Sequence, residues 1–277
     1  NPHLPEEIIK KGILSDAQLE AVVYAGQAHQ QVMKNNQRKG FFIGDGTGVG
    51  KGRQIAGIIL DNWNQGRKKA VWITNSNNLY GDAIRDWTAL GGNKDDVFEL
   101  RKNNVHNRID KKEGVMFLTY DTLKSGSKFI GAVESNGEEL TRLNQVIKWL
   151  GKDFDGVIVF DEAHNMGNAI ESGSGLSKKK PSEKARAGVE LQKQLPNARI
   201  VYSSATGATD VHNLAYATRL GLWGEGTAFI DVNDFINKIS SGGLAAMELV
   251  ARDMKAMGVY IARNLSFKGV EYDTLQH

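Results

Sequence analysis

A glycine-rich stretch with a lysine near its end, GDGTGVGKGRQ over residues 44 to 54, has the clearest chemistry in the sequence. It lies between an apolar run at 41–43, which is typical of a buried strand, and a segment with apolar residues at helical spacing. Glycines let a loop turn its N–H groups toward an anion, and a lysine in the first helical turn reaches the β- and γ-phosphates of a nucleotide. An ordinary glycine-rich turn is the alternative, which the flanking strand and helix disfavour. The pattern predicts a polyphosphate-binding loop formed by Gly46, Thr47, Gly48, Val49, Gly50, Lys51, Gly52 and Arg53.

Two positions depart from the phosphate-loop pattern G-x-x-x-x-G-K-[ST]. Asp45 stands where the first glycine is expected, and Gly52 stands where a serine or threonine hydroxyl would bind magnesium. Thr47 offers a hydroxyl, but it lies in the bend of the loop, where the backbone normally faces the phosphates. The motif therefore predicts phosphate binding and leaves the metal to be held by other residues.

A second motif, VIVFDEAH at 157–164, places two carboxylates directly after four apolar residues. Such a run is typical of a buried parallel strand, and acidic residues at its carboxyl end would face the phosphate loop. We expect Asp161 to hold Mg²⁺ and Glu162 to act as the general base on the attacking water. A helix cap with surface charges is the alternative, and the hydrophobic strand before it argues against that.

A third motif follows the β-like run at 200–203, where the chain continues with Ser204, Ala205 and Thr206. Small polar residues after a strand are common in any loop, so this tripeptide has little meaning alone. In this order, the three motifs resemble motifs I, II and III of superfamily 2 helicases and translocases. That resemblance implies that His164 and the tripeptide couple the nucleotide site to a nucleic-acid site.

Further site residues follow from the same resemblance. Gln18 resembles the glutamine that recognises adenine in many of these proteins, with a solvated helix residue as the alternative. Two predicted strand ends resemble motifs Ia and Ib and supply short donors for phosphate oxygens, with ordinary strand-end loops as the alternative. The predicted nucleic-acid contacts are Asn75, Ser76, Asn77, Thr119 and Tyr120.

Within this superfamily, the sequence resembles the strawberry notch family, including its bacterial and phage relatives. The resemblance covers nearly the whole chain. It is carried by FFIGDGTGVGKGRQIAGIILDNW, DFDGVIVFDEAHNMGN, LPNARIVYSSATGATD, RLGLWGEGTAF and MGVYIARNLSFKGVEY. The family also has Gly-Lys-Gly-Arg after the loop, so the resemblance implies that a glycine at position 52 is a family trait. Membership implies an ATPase that uses ATP and Mg²⁺ and acts on nucleic acid, with DNA as the expectation, together with a second RecA-like domain of the same protein. Without that second domain we expect poor activity.

The spacing of apolar residues predicts how these motifs are positioned. Strands are expected near 41–44, 70–74, 115–119, 157–160 and 200–203, with helical segments between them. This alternation predicts an α/β fold, a RecA-like P-loop NTPase domain whose parallel β-sheet is sandwiched by helices. We expect a helical lead-in over 1–36 and the first motor domain over 37–277, with about 207–277 completing or leaving it.

Smaller features complete the prediction. The polar segment 165–184 is expected to be an exposed loop, and its lysines 178 to 180 a solvated charge run or a DNA contact. A helix over about 244–257 and a short strand at 259–261 are expected after the third motif.

Composition excludes several other classes of protein. The 35 Lys and Arg against 32 Asp and Glu give a net charge of +3, too small for a histone-like nucleic-acid binder. Cysteine is absent, which excludes disulfides and thiolate metal sites, and no run of about 18 apolar residues or signal peptide is present. We expect no membrane partner and an intracellular protein, cytoplasmic in a bacterium or phage and nuclear in a eukaryote. The oligomeric state stays open, as does a non-hydrolysing scaffold that keeps the fold.

Overall fold

The structure is a computed structural model that describes residues 1–45, 50–126, 140–170, 180–207 and 209–263. Its centre is a parallel seven-stranded sheet in the order β3-β4-β2-β5-β6-β1-β7. The strands are β1 Phe41–Ile43, β2 Lys69–Thr74, β3 Val97–Glu99, β4 Gly114–Thr119, β5 Val157–Phe160, β6 Arg199–Ser203 and β7 Tyr260–Ile261. The helices are α1 Glu6–Lys10, α2 Asp16–Ala28, α3 Lys51–Trp63, α4 Tyr80–Ala89, α5 Tyr120–Lys124, α6 Arg142–Leu150, α7 Glu183–Gln194 and α8 Val232–Ala256.

Both faces of the sheet are covered by helices, as the apolar strands predict. Side chains alternate along each strand, so Phe42, Ile73 and Phe160 pack in a core with α5, α6, α7 and α8. Their neighbours Phe41 and Trp72 pack on the other face with α2, α3 and α4. The predicted α/β fold with a parallel sheet between helices is confirmed.

The order of the strands creates a crevice at one edge of the sheet. β1 lies beside β6 and β7, but the next strand along the chain, β2, lies on the far side of β5 and β6. Ligands in such sheets bind outside the carboxyl ends of the strands where the winding changes direction. The residues that follow β1, β2, β4, β5 and β6 therefore meet at one edge.

The five strands predicted before residue 204 are present within one residue of their expected ends, and β7 is present as well. β3, a three-residue strand at the sheet's outer edge, was not predicted from the sequence. The helix expected over 244–257 is the second part of α8, which begins at Val232 and is kinked at Gly243, where φ is 65°. A glycine tolerates that backbone, so the helix pattern resumes after it.

The first part of segment 165–184, which is predicted to be an exposed loop, contains a short helix and buried side chains. Residues 163 to 166 form a 3₁₀ helix, and Met166 and Ile170 are buried in the core, so the exposed-loop interpretation is wrong for this part. Lysines 178 and 179 lie outside the described residues. No helix in the described part of the chain is long and apolar enough to cross a membrane.

Candidate nucleotide-binding site

The predicted phosphate loop connects β1 to α3 at the crevice. Residues 46 to 49, which include the predicted ligands Gly46, Thr47, Gly48 and Val49, lie outside the described residues. Gly50 is the N-cap of α3 and has a left-handed backbone with φ 73° and ψ 49°, a conformation that favours glycine. The first turn of α3 lines the crevice, and the N-terminus of a helix suits an anion.

Lys51 joins the phosphate loop to the DEAH motif. Its Nζ lies 3.2 Å from Asp161 Oδ1 and forms an ion pair with Glu162 Oε1. Burial alone lowers the pKa of Lys51, but the two carboxylates together raise it above its ordinary value. The side chain therefore stays charged in the position from which a lysine can reach nucleotide phosphates.

Asp161 is held from three directions. Its Oδ2 accepts a hydrogen bond from Trp72 Nε1 at 3.2 Å, and its Oδ1 accepts one from the Glu162 backbone N–H at 2.9 Å. Its own carbonyl accepts the Tyr120 hydroxyl at 2.7 Å. Contacts to both the side chain and the backbone fix the carboxylate at the end of β5, on the side that faces Lys51.

Glu162 occupies an unusual backbone position immediately after the strand. Its φ of 48° and ψ of 47° are left-handed, a region that non-glycine residues rarely adopt and that often marks functional turns. The carboxylate reaches Lys51 through one oxygen, and the other lies 3.7 Å from His164 Nε2. Glu162 therefore lies between the phosphate loop and the residues of the third motif.

The third motif contacts the DEAH motif through side chains. His164 Nδ1 lies 2.9 Å from Ser204 Oγ, which in turn lies 3.3 Å from Thr206 Oγ1. The Ser204 backbone N–H donates to the Ile43 carbonyl at the end of β1. Ala205 is exposed and lines the same crevice as Lys51. The structure thus brings together the four residues predicted to couple the two sites.

Gln18 lies at the end of the phosphate loop. Its Oε1 accepts from the Ser15 N–H in the capping box that starts α2. A Cβ added at Gly50 would lie less than 3.0 Å from Gln18 Nε2, so the side chain packs directly on the start of α3. Gln18 is therefore a half-buried neighbour of the loop, and its contact with adenine stays a prediction.

The crevice is a cleft of about 350 Å³. Besides the predicted residues it is lined by side chains that belong to none of the motifs, among them Trp72, Phe117 and Asp86. Arg53 donates from Nε to Asp86 Oδ1 at 3.2 Å and from Nη1 to the Ile13 carbonyl at 3.1 Å. No motif marks Asp86, and its position becomes evident only when α4 is packed against α3.

The unusual Asp45 has a structural role. It is buried, and its two carboxylate oxygens accept from Gln54 Nε2 at 2.8 Å and from the Arg263 backbone N–H at 2.7 Å. These bonds tie the end of β1 to α3 and to the segment after β7. An aspartate at this position therefore fixes where the phosphate loop starts.

A second, polar hollow lies at the carboxyl ends of β2 and β4. It is lined by Asn75, Ser76, Asn77, Asn78, Thr119, Asp121, Thr122 and Ser125. Two loops that are far apart in sequence thus meet in one hollow with amide and hydroxyl donors. Thr119 Oγ1 also caps α5 by accepting from the Thr122 N–H at 3.2 Å.

Tyr120 does not belong to this hollow, which corrects its assignment as a nucleic-acid contact. Its side chain is 1% exposed, and its hydroxyl points inward to the Asp161 carbonyl. Helix α5 begins at this residue, and that turn directs the ring into the core. Tyr120 instead links the end of β4 to the DEAH motif.

The residues present fit a magnesium ion that arrives with a nucleotide. No group of three His, Asp or Glu side chains close enough to hold a metal occurs among the residues that the structure describes. Magnesium commonly uses one or two carboxylates together with phosphate oxygens and water, so a cage of protein ligands is not required. The Asp161 carboxylate at the cleft has the chemistry for such a site.

Comparisons with known proteins agree with this geometry. The model of the family described as P-loop containing NTP hydrolase pore-1 matches residues 1–277. The chain is 48% identical to protein strawberry notch of Drosophila melanogaster over 97% of this chain and 16% of the relative. It is 49% identical to human strawberry notch homolog 1 over 97% of this chain and 19% of the relative. With protein FORGETTER 1 of Arabidopsis thaliana it shares 43% identity over 99% of this chain and 20% of the relative.

A solved structure extends the likeness to the fold. The Sulfolobus solfataricus SWI2/SNF2 ATPase core in complex with dsDNA aligns with a TM-score of 0.58 at 14% identity, covering 90% of this chain and 44% of that chain. At that identity the likeness concerns the fold alone. The chain spans a fifth or less of the three curated relatives. The resemblance to strawberry notch proteins is confirmed, and the chain belongs to the P-loop containing NTP hydrolase pore-1 family.

Proposed function

We propose that this chain binds ATP with Mg²⁺ and hydrolyses it, as the first motor domain of a superfamily 2 helicase or translocase. The observation that carries the proposal is the contact of Lys51 with both Asp161 and Glu162 at the start of α3. A phosphate-loop lysine, a magnesium carboxylate and a general base are the groups that nucleotide hydrolysis requires. Here they come from two separated motifs and meet in one cleft.

Each residue has a distinct role in this proposal. Lys51 exchanges its carboxylate partners for the β- and γ-phosphates, and Asp161 holds the ion. Glu162, released from Lys51, accepts a proton from the water that attacks the γ-phosphorus, while the bond from that phosphorus to the β–γ bridging oxygen breaks and ADP leaves. Magnesium, when bound with the nucleotide, offsets the charge that develops on the phosphate oxygens.

Calorimetry with a slowly hydrolysed ATP analogue tests these roles. Lys51→Ala should abolish binding, because the lysine that reaches the β- and γ-phosphates is lost. Glu162→Gln should keep binding and stop turnover, because the amide fills the same space but cannot accept the proton. Lys238→Ala, a surface lysine on α8, is a matched control for the loss of charge. Equal binding by wild type and Lys51→Ala would remove the basis of the proposal.

The chain alone should turn over ATP slowly. In related enzymes an arginine from a partner or a second domain stabilises the transition state and contributes on the order of 10³-fold or more. We propose that a second RecA-like domain of the same protein supplies it. A fast, DNA-stimulated steady-state rate measured on residues 1–277 would contradict this division of labour.

The polar hollow between β2 and β4 is the proposed contact with nucleic acid, with DNA as the expected form. Its support is the convergence of Asn75, Asn77 and Thr119 at the carboxyl edge of the sheet. Asn75→Ala and Asn77→Ala should weaken binding of labelled DNA in fluorescence anisotropy at low salt, whereas Asn237→Ala on α8 should not. Unchanged affinity in both hollow variants would place the contact elsewhere.

A further inference from the structure

Gly52 has no side chain, and a carboxylate from another helix lies where a side chain at this position would be. We propose that Asp86, on α4, supplies the oxygen that takes the place of the absent serine or threonine hydroxyl on the magnesium side of the nucleotide site. The inference rests on the proposed function, because the ion is expected to arrive with the nucleotide. It assigns Asp86 a role that no motif in the sequence indicates.

The geometry at Gly52 shows why the two residues belong together. Gly52 is the second residue of α3, and a serine or threonine there would extend its hydroxyl from the Cβ position. An ideal Cβ built on Gly52 would lie less than 3.0 Å from Asp86 Oδ2, a separation that real Cβ atoms do not reach. The carboxylate oxygen therefore occupies the space into which the hydroxyl would project. A side chain at position 52 would therefore require the Asp86 carboxylate to move.

Asp86 is held in this orientation by Arg53. The guanidinium Nε donates to Oδ1 at 3.2 Å, and Nη1 is anchored to the Ile13 carbonyl. Since Arg53 holds Oδ1, the other oxygen, Oδ2, faces Gly52. The Asp86 side chain is only 12% exposed, yet it lines the same cleft as Lys51, Asp161 and Glu162. Such a buried carboxylate is fixed in place and still reaches the cleft.

The chemistry of magnesium favours this arrangement. Magnesium requires oxygen ligands in near-octahedral geometry and is typically bound by one or two carboxylates, phosphate oxygens and water. A carboxylate oxygen can bind the ion directly or through one of its waters, as the hydroxyl of other P-loop proteins does directly. Arg53 offsets the extra negative charge that replacing a neutral hydroxyl introduces near the phosphates.

The negative charge of Asp86 predicts an effect on nucleotide binding that depends on magnesium, which a purely structural role would not produce. Without magnesium, the Asp86 carboxylate repels the nucleotide phosphates across the cleft. With magnesium, it attracts the ion that the phosphates carry. Removing the charge should therefore weaken nucleotide binding when magnesium is present and leave it equal or tighter when magnesium is absent. Loss of an Arg53 anchor alone would shift both conditions in the same direction.

The experiment measures equilibrium binding of a fluorescent, slowly hydrolysed ATP analogue in EDTA and across a magnesium titration. Asp86→Asn is the main variant, because its amide oxygen can still accept from Arg53 and its volume is nearly unchanged. We expect the magnesium concentration that gives half of the full increase in nucleotide binding to rise by about 10- to 100-fold. A change of this size is common when a group that supports a metal is removed. Asp253→Asn, at an exposed position on α8 away from the cleft, is the control for the loss of one negative charge.

A second pair of variants tests whether the carboxylate and the hydroxyl are interchangeable. Asp86→Ala opens the space beside Gly52, and the double variant Gly52→Ser with Asp86→Ala places a hydroxyl there. The double variant should recover most of the magnesium-dependent binding that Asp86→Ala loses. Manganese bound with the analogue, followed by electron paramagnetic resonance, gives a readout of the metal itself. Circular dichroism confirms that each variant is folded.

The outcomes separate this inference from the proposed function. If wild type binds the analogue with magnesium dependence and Asp86→Asn matches it in both conditions, Asp86 has no part in the metal site and the inference is overturned. Equal weakening with and without magnesium also overturns it, because Asp86 would then only anchor Arg53. If wild type binds no nucleotide in any condition, the proposed function fails and the inference fails with it.

Discussion

The buried hydroxyl of Tyr120 offers a measurable test of how the DEAH motif is positioned. The hydroxyl donates to the Asp161 carbonyl at 2.7 Å, and the side chain is 1% exposed. Burial raises the pKa of Tyr120 well above its ordinary value, so the hydroxyl remains a proton donor. Tyr120→Phe removes this donor and leaves the ring in place.

The expected cost follows from the environment of the carbonyl. A net hydrogen bond contributes about 0.5–1.5 kcal/mol, and a buried polar group left without a partner costs about 1–3 kcal/mol. Water has little access at this depth, so the free energy of unfolding should fall by about 1–3 kcal/mol in Tyr120→Phe. Because the freed carbonyl belongs to Asp161, nucleotide affinity should fall as well.

Tyr80 provides the matched control. Its hydroxyl donates to the Val97 carbonyl at 2.8 Å, nearly the same length, but the side chain is only half-buried. Water can replace the lost donor, so Tyr80→Phe should cost about 0.5 kcal/mol or less. Both variants are compared by urea denaturation, where a changed midpoint with an unchanged slope reports stability. Equal losses in the two variants, or no loss in Tyr120→Phe, would refute the argument from burial.

Two further predictions concern buried groups outside the cleft. Burial lowers the pKa of His29 from 6.5 to about 3, so between these values the unfolded chain binds a proton that the folded chain does not. The free energy of unfolding should therefore fall as pH drops through this window, by at most about 1.4 kcal/mol per pH unit, and His29→Gln should reduce this slope in denaturation curves at about pH 7 and about pH 5. The buried Arg219 guanidinium donates to four backbone carbonyls, and Arg219→Lys should cost at least about 3 kcal/mol because a lysine cannot satisfy them all. The same change at Arg252, exposed on α8, should cost almost nothing, and comparable losses at both positions would contradict the prediction.

The strands were predictable because burial on both faces leaves a clear pattern. Three of the five strands predicted first, β2, β4 and β5, contain four consecutive apolar residues, and their short length favours a strand over a helix. β3 lacks this pattern, since Val97–Glu99 is short and ends in a carboxylate. An edge strand with one neighbour needs little apolar sequence, so nothing in the sequence marks it.

Only those site residues that a motif places next to the end of a strand were predictable from the sequence. The meeting of Lys51 with Asp161 follows from two parallel strands that end at the same edge. Asp86 comes from the middle of an amphipathic helix, and its partner Gly52 has no side chain, so neither residue signals the other in the sequence. Tyr120 was assigned to the wrong face because the sequence places it after a strand but does not give the direction in which α5 turns its ring.

The contacts of Glu162 indicate which interaction a bound nucleotide must replace. This carboxylate is paired with Lys51 on one side and lies near His164 on the other. The oxygen that contacts Lys51 must be released before it can accept a hydrogen bond from the attacking water. Under the proposed function, phosphate oxygens compete for Lys51, so the binding of nucleotide itself frees the Glu162 carboxylate to contact the attacking water. Since His164 also contacts Ser204, we propose that this exchange is transmitted to the third motif through side chains that are already in contact.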